Sequence, residues 1–258
     1  MGIHLRQICL VARELEPVIV NLTRVLGIER CYVDPGVAHF GLENTLMPVG
    51  RNFLEVVAPV QDNTAAGRYL DRRGGDGGYM VICQADSLDN QHAARQRALD
   101  QGVRVAHESD RDSWNICQLH PRDMVAAFLE IDWDENNDVA GNWMPAGGLG
   151  WEETVRQDIT VDYLGVRLQC EHPASLAELW ARVIDVPVES GDEGPRVRLA
   201  NAALQFVGMT DDRGPGLEGI DIAVKDSARI VDAAKARGLA VSGNRVDICG
   251  TGFYLHPV

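Results

Sequence analysis

The fold is decided by residues 7–27, QICLVARELEPVIVNLTRVLG, where an apolar strand-like run is followed by an amphipathic helix. The apolar positions of this helix recur at i, i+3, i+4 and i+7, at Leu15, Val18, Ile19, Leu22, Val25 and Leu26. Gly27 is the expected end of the helix. Three short strands are predicted to follow, around residues 29–33, 44–49 and 52–57, and Gly50-Arg51 is the predicted tight turn between the last two.

The same succession of strand, helix and further strands occurs three more times. The second copy begins with a strand at 79–83 and a helix at 88–101, and the third with a strand at 164–168 and a helix that ends near Ile184. The fourth has a strand at 219–226 and a helix to Arg237. The spacing of strand and helix end is the same in two copies, since 25 − 7 and 183 − 165 both equal 18. Four copies indicate a true repeat.

This repeat predicts an α+β fold of four βαβββ modules, paired into two domains. The first domain is predicted at residues 1–134, with modules at 1–59 and 76–134. The second is predicted at 162–258, with modules at 162–210 and 216–258. The stretch 135–161 is rich in Asn, Gly and acidic residues and is predicted to be a linker, with Trp143 and Trp151 packed on a domain face.

Composition limits the partners. The 258 residues include 24 basic and 38 acidic side chains, for a net charge of −14, which disfavours nucleic acid and anionic membranes as partners. No apolar run approaches the ~20 residues of a membrane-spanning helix, and the N-terminus has no apolar signal core. The six cysteines are scattered and form no C-x-x-C pair. A reducing cytoplasm is therefore the expected compartment.

Two glutamates lie in apolar strand-like runs, in Phe53-Leu54-Glu55-Val56-Val57 and in Phe128-Leu129-Glu130-Ile131-Asp132, and 130 − 55 places them 75 residues apart. A buried carboxylate is costly unless it is hydrogen-bonded, paired with a cation or bound to a metal. Matching positions in a repeat suggest a functional site. Strand alternation places Phe53 beside Glu55, and Phe128 and Asp132 beside Glu130. The alternative is hydrogen bonding within the sheet, or pairing with an arginine such as Arg6 or Arg51.

These modules resemble the vicinal oxygen chelate superfamily, whose familiar members are the glyoxalase and bleomycin-resistance proteins. Residues 7–27 resemble the opening strand and helix of that superfamily, and residues 76–81 resemble the opening of its paired module. His120-Pro121-Arg122-Asp123, leading to Glu130, is similar to the last hairpin of methylmalonyl-CoA epimerase-like members. Residues 41–46, followed by Glu55, are similar to the glyoxalase-like subgroup. The resemblance covers nearly the whole chain and implies that the paired modules form two half-barrel, cup-shaped domains.

The resemblance implies a metal-ligand set at Gln7, Glu55, Met80 and Glu130, where glyoxalase I has Gln, Glu, His and Glu. Gln7, Glu55 and Glu130 are thus the implied ligands of a divalent ion such as Mg, Mn, Ni or Zn. Met80 replaces the imidazole with a soft thioether, which is expected to weaken the affinity. The matching positions of the second half are aligned as Gly165, Gln205, Gly219 and Leu255, with His256 on the opposite face. That half is therefore interpreted as a degenerate copy.

The implied function is a small-molecule isomerase or lyase, in which the ion stabilises an enolate or similar oxyanion and Glu55 or Glu130 acts as general base. The residues predicted to contact the substrate are His39, Phe40, Phe53, Tyr79, Met80 and Phe128. A ring-cleaving iron dioxygenase is disfavoured, because two histidines and one carboxylate are not present as a set. The alternative is a binding protein without chemistry, of the antibiotic-sequestering type, whose apolar pocket is lined by the predicted aromatic residues.

Two further points stay open in the sequence. Four modules in one chain either complete both cups or leave edges for a homodimer. The remaining histidines, including His107 in a predicted loop after Val105, are interpreted as surface or hydrogen-bonded residues.

Overall fold

The computed structural model describes residues 2–144 and 148–258. The helices are α1 (Leu15–Leu26), α2 (Ala65–Arg73), α3 (Leu88–Asp100), α4 (Pro121–Met124), α5 (Pro173–Ile184) and α6 (Ser227–Ala236), with 3-10 turns at Pro35–Phe40 and Trp151–Thr154. The strands of the first two modules are β1 (Ile3–Val11), β2 (Leu42–Val49), β3 (Asn52–Pro59), β4 (Gly77–Ala85), β5 (Val105–Asp110), β6 (Trp114–Leu119) and β7 (Phe128–Asp134). Those of the last two are β8 (Thr160–Gln169), β9 (Val188–Gly191), β10 (Gly194–Arg198), β11 (Ala203–Val207), β12 (Gly216–Val224), β13 (Val241–Ser242), β14 (Arg245–Ile248) and β15 (Thr251–Pro257). The predicted α+β fold of four modules is confirmed.

The first module shows how closely the pattern sets local structure. Five apolar residues of α1 are buried, Val18, Ile19, Leu22, Val25 and Leu26. Gly27 ends the helix in the left-handed conformation, with φ 70°, and its N–H donates to the Thr23 carbonyl. The strand predicted at 29–33 is reduced to a single bridge between Tyr32 and Leu46, because the chain then turns into the 3-10 helix. The two other predicted strands form as the antiparallel pair β2–β3.

The contacts divide the chain into two compact units, each built from three segments. Unit 1 is Met1–Ile8, Tyr79–Pro145 and Gly165–Leu217. Unit 2 is Cys9–Gly78, Ala146–Leu164 and Glu218–Val258. Each unit thus holds most of two modules, one from each half of the chain. This grouping and the predicted sequential domains are different divisions, and the domain boundaries stay a prediction.

Unit 1 contains the second and third modules, which have the same strand plan. In the second module β4 pairs with β7 in parallel, and β7, β6 and β5 follow as antiparallel neighbours. In the third module β8 pairs with β11 in parallel, and β11, β10 and β9 follow in the same way. Their helices α3 and α5 pack together, and the Arg97 Nε donates to the Val183 carbonyl at the end of α5, over 2.9 Å.

Unit 2 contains the first and fourth modules. In the fourth module β12 pairs with β15 in parallel, and β14 and β13 follow as antiparallel neighbours. Helices α1 and α6 pack together, and the Arg237 Nε donates to the Asn21 side chain over 2.7 Å. The helical contact therefore recurs in both units.

The stretch predicted as a linker, 135–161, has ordered parts. Residues 145–147 of it lie outside the described residues. In unit 1, the buried Arg6 guanidinium donates to the carbonyls of Val139 and Gly141 and lies over the Trp143 ring, at 5.7 Å. In unit 2, the buried Trp151 packs edge-on against Phe53, with ring centroids 5.0 Å apart.

Candidate functional site

The candidate site of unit 1 centres on Glu130 in the middle of β7. Its neighbours across the sheet are Ile82 on β4 and Gln118 on β6. The opposite face of the sheet is the one that α3 covers, because Asn115 of β6 contacts His92 of α3 at 3.2 Å and alternates with Gln118. Glu130 therefore lies on the face that points away from α3, where its side chain is only 6% exposed.

Asp132 lies two residues further along the same face and is fully buried. Its Oδ1 accepts a hydrogen bond from the Cys117 amide over 3.3 Å. Burial raises the pKa of Asp132 well above its usual range, and the charge of Glu130 and a hydrogen bond between the two carboxyl groups raise it further. The raised pKa favours the protonated form of Asp132, whose carboxyl group is hydrogen-bonded to Glu130.

Cys117 of β6 alternates with Gln118, so its side chain lies on the opposite face, the one that α3 covers. Burial raises the pKa of the Cys117 thiol to about 12, so the thiol stays neutral at physiological pH.

Of the other sequence-predicted residues of unit 1, Gln7, Tyr79 and Met80 are buried and Phe128 is half-buried. Gln7 is 4% exposed, Met80 is 8% exposed, and Met80 pairs with Phe128 across β4 and β7. The Tyr79 and Phe128 rings pack edge-on with centroids 5.1 Å apart. Unit 1 thus contains five of the predicted site residues, Gln7, Tyr79, Met80, Phe128 and Glu130.

Unit 2 contains the other four, Glu55, Phe53, His39 and Phe40. Glu55 lies in β3, is 6% exposed and accepts a hydrogen bond from the Asn44 amide over 2.6 Å. Phe53 is fully buried on the same face. His39 and Phe40 are exposed at the end of the 3-10 helix, with their rings edge-on at 5.4 Å. Their roles stay predictions.

The oxygen donors of unit 1 suit a divalent ion in type. The amide of Gln7 and the carboxylate of Glu130 are hard oxygen ligands, whereas the Met80 thioether is not. Within residues 2–144 and 148–258, no group of three or more His, Cys, Asp or Glu side chains is placed to hold a metal. A divalent ion held by Gln7 and Glu130 would therefore take most of its ligands from water or substrate.

The fourth module corrects one register prediction. Gly219 of β12 is taken as the match of Met80 of β4. Glu130 pairs with Ile82, which lies two positions after Met80. The residue that pairs with Asp221, two positions after Gly219, is Tyr254, so Tyr254 matches Glu130. The alignment that placed Leu255 there is wrong by one residue, and Leu255 is buried on the opposite face. His256 shares the face of Tyr254 and hydrogen-bonds Asp221 at 2.7 Å.

Sequence reasoning missed two residues of the Glu130 face. His107 was predicted in a loop, but it lies in β5 and pairs with Gln118, which in turn pairs with Glu130. An irregularity between Val105 and His107 sets this register. The alternation of β6, in which Asn115, Cys117 and Leu119 are buried and Gln118 is half-buried, was the available signal for Gln118.

The comparisons with known proteins agree with this geometry. A family model described as a glyoxalase-like domain matches residues 8–184, which is more than half of the chain. The chain belongs to this glyoxalase-like family, within the vicinal oxygen chelate superfamily. No curated protein matches the sequence significantly.

Solved structures share the fold at low sequence identity. A hypothetical protein from Staphylococcus aureus superposes with a TM-score of 0.67 at 12% identity, over 100% of both chains. A variant of 4-hydroxymandelate synthase from Streptomyces coelicolor gives 0.66 at 16% identity, over 93% of this chain and 76% of that one. A Mn(II)-bound glyoxalase from Novosphingobium aromaticivorans gives 0.66 at 12% identity, over 99% and 81%. At these identities the likeness shows the fold alone.

A search of the described helices for membrane spans finds none that is long and apolar enough to cross a bilayer.

Proposed function

We propose that the protein is a small-molecule isomerase or lyase that moves a proton at a carbon next to a carbonyl group. The observation that carries this proposal is the buried pair of Glu130 and Asp132, on the sheet face that points away from α3. Two carboxyl groups in one buried site, one of them with a raised pKa, are typical of acid–base catalysis, and burying them without a use costs stability.

Glu130 is the proposed general base. The carboxyl group of Asp132, whose pKa is raised by burial, hydrogen-bonds Glu130 and orients its carboxylate. Glu55 of unit 2, held by Asn44, is proposed as a further proton-transfer residue. The apolar rings of Tyr79 and Phe128 are proposed to exclude water and to contact the substrate.

A divalent ion suits the proposed chemistry. When bound, such an ion supplies positive charge that stabilises a developing oxyanion on the substrate. Gln7 and Glu130 are the residues of unit 1 that would hold it, and the role of Glu55 as a metal ligand stays a prediction from the sequence. The Mn(II)-bound glyoxalase among the structural neighbours supports the choice of a divalent metal.

The test is proton exchange in deuterated water. A panel of α-hydroxy ketones, hemithioacetals and 2-substituted malonyl thioesters is incubated with protein and Mg, Mn, Ni or Zn, and exchange at the carbon beside the carbonyl is followed by proton NMR. We expect Glu130→Gln to slow exchange by about 10²-fold or more, because the positioned base is lost. The matched control is Glu171→Gln, which removes the same charge from an exposed position of unit 1.

Metal content is measured in parallel on protein purified without chelator. Stoichiometric metal in the parent that disappears in a Glu55→Gln/Glu130→Gln variant supports the metal-dependent form of the proposal. Equal exchange rates in the parent and in Glu130→Gln would refute the role of the base.

The second candidate is a binding protein without chemistry. The observation that favours it is the buried Met80 thioether beside Phe128, since an apolar lining suits a ligand pocket better than a metal centre. Tight binding of an aromatic ligand with no exchange on any compound and no bound metal would decide for this candidate.

A further inference from the structure

Three polar side chains form a row across the sheet of the second module. His107 of β5 pairs with Gln118 of β6, and Gln118 pairs with Glu130 of β7. Residues that pair directly across strands point to the same face, with Cβ atoms about 5 Å apart. Gln118 therefore lies beside the proposed base, and His107 lies one strand further out. Both side chains are half-buried, whereas Glu130 is buried.

The amide of Gln118 is uncommitted. Throughout residues 2–144 and 148–258, no hydrogen bond to this side chain is found, in contrast to two other glutamines of unit 1. The amide of Gln91 donates to the Ile131 carbonyl, and that of Gln205 donates to the carbonyls of Gly194 and Pro195. A half-buried amide that makes no internal bond, next to a buried carboxylate, keeps two donors for a ligand.

We infer that Gln118 is a substrate-contacting residue, whose amide donates a hydrogen bond to the oxygen that becomes negative when Glu130 removes the proton. This inference rests on the proposed function. A donor aimed at a developing oxyanion stabilises the transition state more than the ground state. The ligand class is a small carbonyl compound with an acidic C–H and an oxygen on the neighbouring atom, since one group meets Glu130 and the other meets Gln118.

The position of Gln118 explains why an amide is suited to this place. A lysine or arginine beside Glu130 would form an ion pair and lower the basicity of the carboxylate. A neutral amide donates without that effect. His107 lies beside Gln118 at the outer end of the row, where it flanks the same oxygen of the ligand.

The test uses acetohydroxamate, a planar probe with two neighbouring oxygens that resembles an enediolate. Its affinity is measured by isothermal titration with Mg²⁺ present, for the parent, Gln118→Leu and Gln118→Asn. We expect Gln118→Leu to weaken binding by about 5- to 10-fold, as for one lost hydrogen bond, and Gln118→Asn to restore part of it. The matched control is Gln96→Leu, at an exposed glutamine of α3, which leaves the affinity unchanged.

A second measurement does not depend on the stability of the variants. In the 15N spectrum of the parent, the side-chain amide pair that is absent from Gln118→Glu shifts when acetohydroxamate is added. Binding that is equal in the parent and in Gln118→Leu, with no shift of that amide pair, overturns the inference and leaves the role of Glu130 intact. A parent that binds no probe and exchanges no proton overturns both.

Discussion

The second and third modules of unit 1 have the same strand register, but their polar side chains at matching positions differ in whether they bind partners within the unit. In the second module the row across the sheet is His107, Gln118, Glu130 and Ile82. In the third the matching row is Glu189, Arg196, Gln205 and Arg167. The first row buries a carboxylate beside an uncommitted amide. The second row is richer in charge, but its groups bind other groups of the third module.

Each of the four polar residues in the row of the third module has an internal partner. Arg196 contacts Glu189 at 2.8 Å and Arg167 contacts Glu193 at 3.1 Å, while Gln205 bonds two backbone carbonyls. A Cβ at Gly165, the match of Met80, would lie 2.0 Å from the carbonyl oxygen of Ala203, so no side chain fits there. The difference teaches that polar residues at ligand positions are available to a ligand only where the fold leaves their hydrogen bonds unmade.

The largest effect on stability is expected at a glutamine near the end of the first strand in the second and third modules. Gln169 of β8 is buried and bonds Thr210, Asp211 and Gly214, which fixes the loop after β11. Its match, Gln84 of β4, makes one long bond to the Asp138 carbonyl, at 3.4 Å, and its Oε1 has no partner in the described residues.

We therefore expect Gln169→Leu to lower the free energy of unfolding by about 2–4 kcal/mol, because several buried groups lose their partners. Gln84→Leu is expected to lower it by less than about 1 kcal/mol. Urea denaturation of both variants measures the difference, and equal losses would contradict the contrast between the two modules.

A smaller effect on stability is expected when the pH is lowered. Burial alone raises the pKa of Asp211, but the hydrogen bonds from Gln169 and Arg213 outweigh it and leave that pKa below its usual value. A lowered pKa stabilises the fold above the pKa of the unfolded chain, near 3.9, and this contribution is lost as pH falls through the folded value.

We expect Asp211→Asn to reduce the stability near pH 6 and to make the loss of stability below pH 4 less steep than in the parent. Thermal melts across this pH range measure both slopes. A variant as acid-sensitive as the parent would show that Asp211 does not contribute. The exposed Asp212→Asn is the matched control, since it changes the neighbouring charge outside the Gln169 contacts.

The smallest effect on stability is expected at the ion pair of Arg196 and Glu189 in the third module. Arg196 and Glu189 are each 37% exposed, so solvent screens their attraction. Arg196→Gln is expected to change the free energy of unfolding by less than about 1 kcal/mol and to leave proton exchange unchanged. A large loss of exchange in this variant would show that the third module also has a catalytic role.

Much of this architecture was predictable from local pattern. The four strand–helix openings followed from apolar periodicity, and the common face of Glu130 and Asp132 followed from strand alternation. The site predictions that were wrong or missing depended on strand register, because a shift of one residue in the pairing turns every side chain of a strand to the other face. For this reason the sequence alignment assigned Leu255 to the position that Tyr254 occupies. His107 was missed since the irregularity before it leaves no mark in the sequence.

The grouping of the four modules into two units could not be predicted from the sequence, for a different reason. Hydrophobic periodicity identifies each module, but it does not say which modules pack together. In the contact between α3 and α5, Arg97 reaches the end of α5. Helix α5 also contacts α4, where the Trp180 Nε1 donates to the Met124 carbonyl over 3.1 Å. These are long-range pairings between side chains that look ordinary in the sequence.

The discontinuity of the two units bears on how the chain is synthesised. Unit 1 needs residues as far as Leu217, and unit 2 needs residues beyond Glu218, so neither is complete when the first two modules leave the ribosome. Such distant contacts slow folding, because a long loop must close before they form. A nascent chain paused near residue 140 would expose the apolar sides of α1 and α3, and protection of that intermediate by chaperones would be the cost of this chain order.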